Sequence, residues 1–143
     1  ECEGLEGDAA GDAGCNIVLD AEHLRQGWEE HFGYLRDQGY AVVVGEFGGN
    51  MDWPAKATLR DQARWDHITP GIDQQWQDIF VDYMVEENIQ GCYWSINPES
   101  GDTGGWYGHA YDPQSNTTGW GEWLEFDQRK TNLLNRLWTN SPE

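Results

Sequence analysis

Four apolar residues, Ala41 to Val44, run without alternation and stop at Gly45-Glu46-Phe47-Gly48-Gly49. A strand that faces water on one side alternates apolar and polar residues, whereas an unbroken apolar run suits a strand covered on both faces. The segment Tyr40–Glu46 is therefore predicted as a parallel strand between helices or inside a barrel, with a carboxylate at its C-terminal end. The flanking segments agree. Asp20 can cap a helix running to about Gln38, whose Leu24, Trp28, Phe32 and Leu35 form one stripe and which Gly39 ends. A second helix is expected from Ile72 to Glu87, with Ile72, Trp76, Ile79, Phe80 and Tyr83 inward. Gly91–Ile96 reads as a second short buried strand. A last helix is expected over Glu122–Trp138, with Phe126, Leu133, Leu134, Leu137 and Trp138 inward.

The order is helix, strand, helix, strand, helix. The segments after the strands, 47–70 and 97–121, are long, and those leading into them are short. This asymmetry marks a (β/α)8 TIM barrel, an α/β fold whose active site lies at the C-terminal ends of the strands. Two strands cannot close a barrel and leave unpaired edges. The expectation is one catalytic unit over 1–143: a stapled loop at 1–16, then the last strands and helices of a barrel over 17–143. With no Met at its start and no signal-like segment, the chain reads as a mature or excised piece.

The formal net charge is −18, from 26 acidic and 8 basic side chains. Nucleic acid and anionic membrane surfaces need clustered Lys and Arg, so neither is an expected partner. A neutral ligand fits, although such charge also simply maintains solubility. No apolar run approaches the roughly 20 residues of a membrane span. Nine Trp beside 18 Gly suggest aromatic faces used for binding as well as for the core. Cys2 and Cys15 flank a Gly/Asp/Ala-rich stretch with no periodicity and are expected to pair. Closing a loop of 14 residues stabilises by about 3 kcal/mol in the chain-entropy model. Cys92, within an apolar run, reads as a buried thiol, or one that pairs outside the chain. Asn116-Thr117-Thr118 is a glycosylation sequon, and with a disulfide it points to a secreted, extracellular protein.

Position alone leaves Glu46 as a catalytic carboxylate, a helix cap, a salt-bridge partner or a solvated loop residue. Trp94, ending the second strand in "YWSINP", is either a core side chain of a barrel mouth or a flat platform for a pyranose ring, whose axial C–H groups suit the π-face. His23, His31, His67 and His109 lack metal-ligand spacing, and no EF-hand loop occurs in the acidic segment near the start. No Gly-rich phosphate loop precedes a helix, and Ser95 has no nucleophile elbow. No metal or cofactor is expected.

"HFGYLRDQGYAVVVGEFGG", followed by "YWSINPESGDTGG", resembles glycoside hydrolase family 5, the retaining endoglucanases or cellulases of bacteria and fungi. The resemblance is close over roughly 28–105 and loose over the final helix. It implies that the two strands are the seventh and eighth of the barrel, that Glu46 is the nucleophile, and that Trp94 carries the sugar next to the scissile bond. Asn97, Glu99 and Asp102 would lie beside the cleft. Trp53 and Trp106, by their place on the rim loops, are further candidate platforms, with loop packing the equal alternative. The family's acid/base is the Glu of an Asn-Glu-Pro motif, which this chain lacks, as it lacks the family's His-x-Tyr segment. The resemblance therefore implies a C-terminal chain that needs a companion N-terminal chain carrying the acid/base Glu, the precursor having been cut near Glu1. The expected activity is hydrolysis of internal β-1,4-glucosidic bonds in cellulose or β-glucan. The alternatives are a mannanase or other β-glycanase of the same family, a non-catalytic carbohydrate-binding protein, a barrel that has lost activity, and an inactive cut-down piece.

Overall fold

The computed structural model describes residues 2, 4–5, 7–16, 18–52, 67–97, 103, 105–110 and 122–139. The chain opens with a six-residue helix α1 (Gly7–Asp12), closed off by a Cys2–Cys15 disulfide. The expected loop thus contains a short helix. One and a half turns are too few to show a periodic stripe, and the bridge anchors what propensity alone would not hold.

Helix α2 (Ala21–His31) starts where expected. The Asp20 carboxylate accepts from the backbone N–H groups of Glu22 and His23 at 2.9 and 3.1 Å. It ends seven residues earlier than Gln38, passing into a 3-10 turn at Gly33–Leu35. Gly33 explains the tightening: any Cβ there would collide with the Tyr83 hydroxyl and the Glu29 carboxylate. These two groups are hydrogen-bonded at 2.7 Å, tying α2 to the next helix. Gly39, at φ 85°, turns the chain into β1 (Val43–Phe47).

Helix α3 (Ile72–Glu86) buries Ile72, Gln77, Phe80, Val81, Tyr83 and Met84, more than the single predicted stripe. It is covered on several sides. Trp28 of α2 lies 4.7 Å from Phe80 and 5.2 Å from Tyr83, while Phe47 of β1 meets Phe80 at 5.9 Å. The helix stops in a Schellman arrangement. Asn88 sits at φ 53°, Ile89 N–H donates to Met84 at 2.8 Å, and Asn88 N–H donates to Val85. The fully buried Ile89 then leads into β2 (Gln90–Tyr93), which pairs in parallel with β1.

Beyond β2 the structure departs from the expected loop and helix. Strands β3 (Tyr107–Ala110) and β4 (Glu122–Phe126) form an antiparallel pair, and the last helix α4 spans only Gln128–Thr139. Phe126 is therefore a strand residue, stacked on Tyr107 with ring centroids 3.9 Å apart, and Trp138 is exposed rather than inward. Asp127 sets the helix start: its carboxylate accepts from Arg129 N–H at 2.9 Å, and its carbonyl accepts from Thr131 N–H at 2.9 Å. Leu133, Leu134 and Leu137 of α4 close the core with Phe80, Val81, Met84 and Ile89.

The expectation that β1 is buried on both faces is corrected. Val42 and Val44 pack on the helices, but Ala41 is exposed and Val43 is 59% exposed. Cys92 on β2 is likewise a free, exposed thiol rather than a buried one. Among the described residues, helices cover only one side of the β1–β2 sheet, which leaves an apolar face bare.

Candidate active site

Glu46 owes its placement to an irregularity in the β1–β2 register. Val44 pairs with Gly91 and Phe47 with Tyr93, so Gly45 and Glu46 together oppose the single residue Cys92. An extra residue in one strand breaks the alternation and re-aims side chains. Val44 and Phe47, three residues apart, thereby both serve the helix-side core. Phe47 is buried 5.3 Å from the Tyr93 ring, while Gly45 and Glu46 are exposed.

Trp94 follows β2 directly. Its N–H donates to the carbonyl of Phe47 at 2.7 Å, so the ladder continues one step past the strands and binds the Trp to the residue after Glu46. The indole-bearing residue is 46% exposed, and the Trp94–Ser95 peptide bond is cis. Glycines permit this contact. A Cβ at Gly48 would strike the Trp94 carbonyl oxygen, and one at Gly49 would strike the Asp73 carboxylate. At Gly45 a Cβ would meet nothing within 4 Å.

Beneath the strand ends lies a buried polar layer. Gln77, fully buried on α3, donates to Asp73 at 3.2 Å. Burial pushes the Asp73 carboxyl above its usual range, against the opposing pull of Gln77, the Asn50 backbone and the Lys130 charge. Burial likewise pushes the Tyr93 phenol well above its ordinary value. Lys130 of α4, only 3% exposed, donates to the carbonyls of Thr103 and Gly105, and its ammonium lies 5.6 Å from the centroid of the Tyr93 ring. None of this layer was singled out in the sequence. One signal was available: position 130 is in helical phase with Leu133, Leu134 and Leu137, so a Lys stands on the apolar stripe.

The structure thus brings Glu46 and Trp94 to adjacent strand ends. Asn97 follows, half-buried. Trp53, Glu99, Asp102 and the sequon residue Asn116 lie outside the described residues. Trp106 is engaged in packing. Its ring meets Phe126 at 4.3 Å and Trp138 at 5.7 Å, and its indole N–H donates to Thr131 at 2.9 Å. Among the described residues, no group of three His, Cys, Asp or Glu side chains is disposed to hold a metal. No helix there is long and apolar enough to cross a membrane.

The profile of "Cellulase (glycosyl hydrolase family 5)" matches residues 7–100. Endoglucanase C of Cellvibrio japonicus is 55% identical over 139 residues, covering 96% of this chain and 19% of that protein. Endoglucanase G of Acetivibrio thermocellus is 33% identical over 113 residues, or 78% of this chain and 15% of that protein. The major extracellular endoglucanase of Xanthomonas campestris pv. campestris is 36% identical over 112 residues, or 78% of this chain and 17% of that protein. The chain therefore spans less than a fifth of the length of these relatives. A solved cellulase–inhibitor complex superposes with a TM-score of 0.55 at 34% identity, over 81% of this chain and 24% of that one. The family and this neighbour imply a TIM-barrel family. With two thirds of its length matched by that profile and nearly all of it by a relative of more than half identity, this chain belongs to the cellulases of glycosyl hydrolase family 5.

Proposed function

We propose that this chain supplies the nucleophile and a sugar platform to a retaining endo-β-1,4-glucanase acting on cellulose or β-glucan. The observation that carries the reading is the bulge that leaves Glu46 on the bare face of the sheet, beside an exposed Trp94. On this reading β1 and β2 are the last two strands of the barrel. The bare face, with Val43 and Cys92 exposed on it, is covered by the preceding strands, which a companion N-terminal polypeptide provides.

Retention needs two carboxyl groups about 5–5.5 Å apart across the glycosidic bond. A Glu46 carboxylate oxygen attacks the anomeric carbon. The bond from that carbon to the leaving oxygen breaks, and the partner carboxylic acid gives its proton to that oxygen. The partner, now a carboxylate, takes a proton from water, whose oxygen attacks the same carbon and releases Glu46. Nucleophile, acid and base are all carboxyl groups. The chain lacks the Asn-Glu-Pro motif, so the acid/base Glu belongs to the companion polypeptide. Trp94 offers its face to the sugar beside the scissile bond, where an apolar ring surface meets axial C–H groups. Secretion fits the Cys2–Cys15 disulfide, since such bridges persist in oxidising surroundings.

The test is Glu46→Gln in the complete enzyme. Turnover of β-glucan is expected to fall by about a thousandfold or more while binding of cello-oligosaccharide persists. Undiminished turnover would overturn the nucleophile assignment, and faster cleavage of mannan than of β-glucan would change the substrate class.

A further inference from the structure

Lys130 is an unusual residue for its place. Helix α4 presents Leu133, Leu134 and Leu137 to the core, and an apolar side chain at 130 would continue that stripe. An ammonium taken out of water is costly unless hydrogen bonds and neighbouring charge compensate it. Two of the compensating hydrogen bonds come from one short segment. The Lys130 Nζ donates to the Thr103 carbonyl at 2.8 Å and to the Gly105 carbonyl, over the Tyr93 ring. Its charge also acts on the half-buried Asp73, whose carboxylate packs where a Cβ of Gly49 would be.

The segment that Lys130 grips is in turn the lining of the rim. Thr103 is buried, and its methyl group lies 3.3 Å from where a Cβ on Gly48 would stand. Just beyond Gly105, the Trp106 N–H donates to Ser95 at 2.7 Å, and the Tyr107 N–H reaches Ile96. Ser95 follows Trp94, and Gly48 underlies the Trp94 carbonyl. Thr103, Trp106 and Tyr107 thus meet Gly48, Ser95 and Ile96, which surround the Trp94 backbone, and Lys130 fastens the start of that stretch to the last helix.

We propose that Lys130 is a positioning residue for the sugar platform, setting the place of Trp94 relative to Glu46 through the Thr103 and Gly105 carbonyls. This rests on the reading of Glu46 and Trp94 given above. Small displacements at such a site matter, because productive binding requires the reacting groups to be held within a fraction of an ångström.

The test is a double-mutant cycle in the complete enzyme carrying Glu46→Gln, with cellotetraose binding followed by calorimetry. Lys130→Met is expected to weaken binding about tenfold, and to do so by less than about twofold once Trp94→Ala is also present. With Glu46 intact, Lys130→Met raises KM for cellotetraose, whereas simple loss of folded enzyme would lower kcat and leave KM unchanged. Unaltered binding by Lys130→Met, or equal losses with and without Trp94, overturns the proposal. If Trp94→Ala itself leaves binding unchanged, the platform reading fails instead. Should Lys130→Met not fold, the cycle is repeated with Lys130→Gln, which keeps a donor but no charge. Collapse of both variants also overturns the proposal, because Lys130 would then be supporting the core itself.

Discussion

Three glycines in one motif do different things. Gly48 and Gly49 lie under the Trp94 carbonyl and the Asp73 carboxylate, while Gly45 borders open space. Gly48→Ala forces the Trp94 backbone to move and is expected to cost about 1–3 kcal/mol of stability. Gly45→Ala is expected to change stability by less than about 0.5 kcal/mol. Chemical denaturation of both variants distinguishes them, and equal costs would contradict the close approach at Gly48. The importance of the motif was legible from the residues, as was a carboxylate followed by a Trp at the next strand end. The division of labour among the glycines was not, because it depends on Asp73 and Trp94, which are distant in sequence. Lys130 was missed for a similar reason. A lysine in a Leu stripe reads as a solvated interruption until two carbonyls from another segment are seen to meet it.

At the scale of elements, local signals located α3 and the start of α2 well, but placed the end of α2 seven residues too late and the start of α4 six residues too early. Asp20 caps α2 as its position suggests, and Asn88 with Ile89 closes α3. The start of α4 was placed too early because Glu122–Phe126 has helix-compatible residues but pairs with Tyr107–Ala110, a choice made by non-local contacts. The real start, Asp127, carries a charge link. Burial acts to raise its carboxyl, but hydrogen bonds and charge from Arg129 outweigh this and hold it below the usual range. A depressed carboxyl stabilises the fold above its unfolded value near pH 4, and that contribution is lost as pH falls through the lower folded value. Asp127→Asn is therefore expected to cost about 1 kcal/mol near neutral pH, with the difference from the parent shrinking below about pH 4. Melting temperatures across that range provide the check, and a difference that grew on acidification would reverse the sign of the link.

For the whole molecule the governing fact is that, among the described residues, the β1–β2 sheet has one covered face. Val43, Cys92, Trp94 and Ile96 are exposed on or just beyond β1 and β2, while Phe47, Val44 and Tyr93 serve the core. If preceding barrel strands cover the bare face, Cys92 becomes inaccessible in the complete enzyme. Thiol titration is expected to find it freely reactive in the 143-residue chain and orders of magnitude slower in the complete enzyme. Equal reactivity would count against barrel closure over this face. The sequence by itself determined the helix–strand alternation, the capped start of α2, the pairing of Cys2 with Cys15 as an expectation, and the family resemblance, because each rests on periodicity or on short contiguous motifs. Only the tertiary structure decided that Glu46 leaves the core while Phe47 enters it. That outcome depends on one extra residue in β1 measured against β2, and the register of two strands more than forty residues apart is set by what each packs on, not by either strand alone.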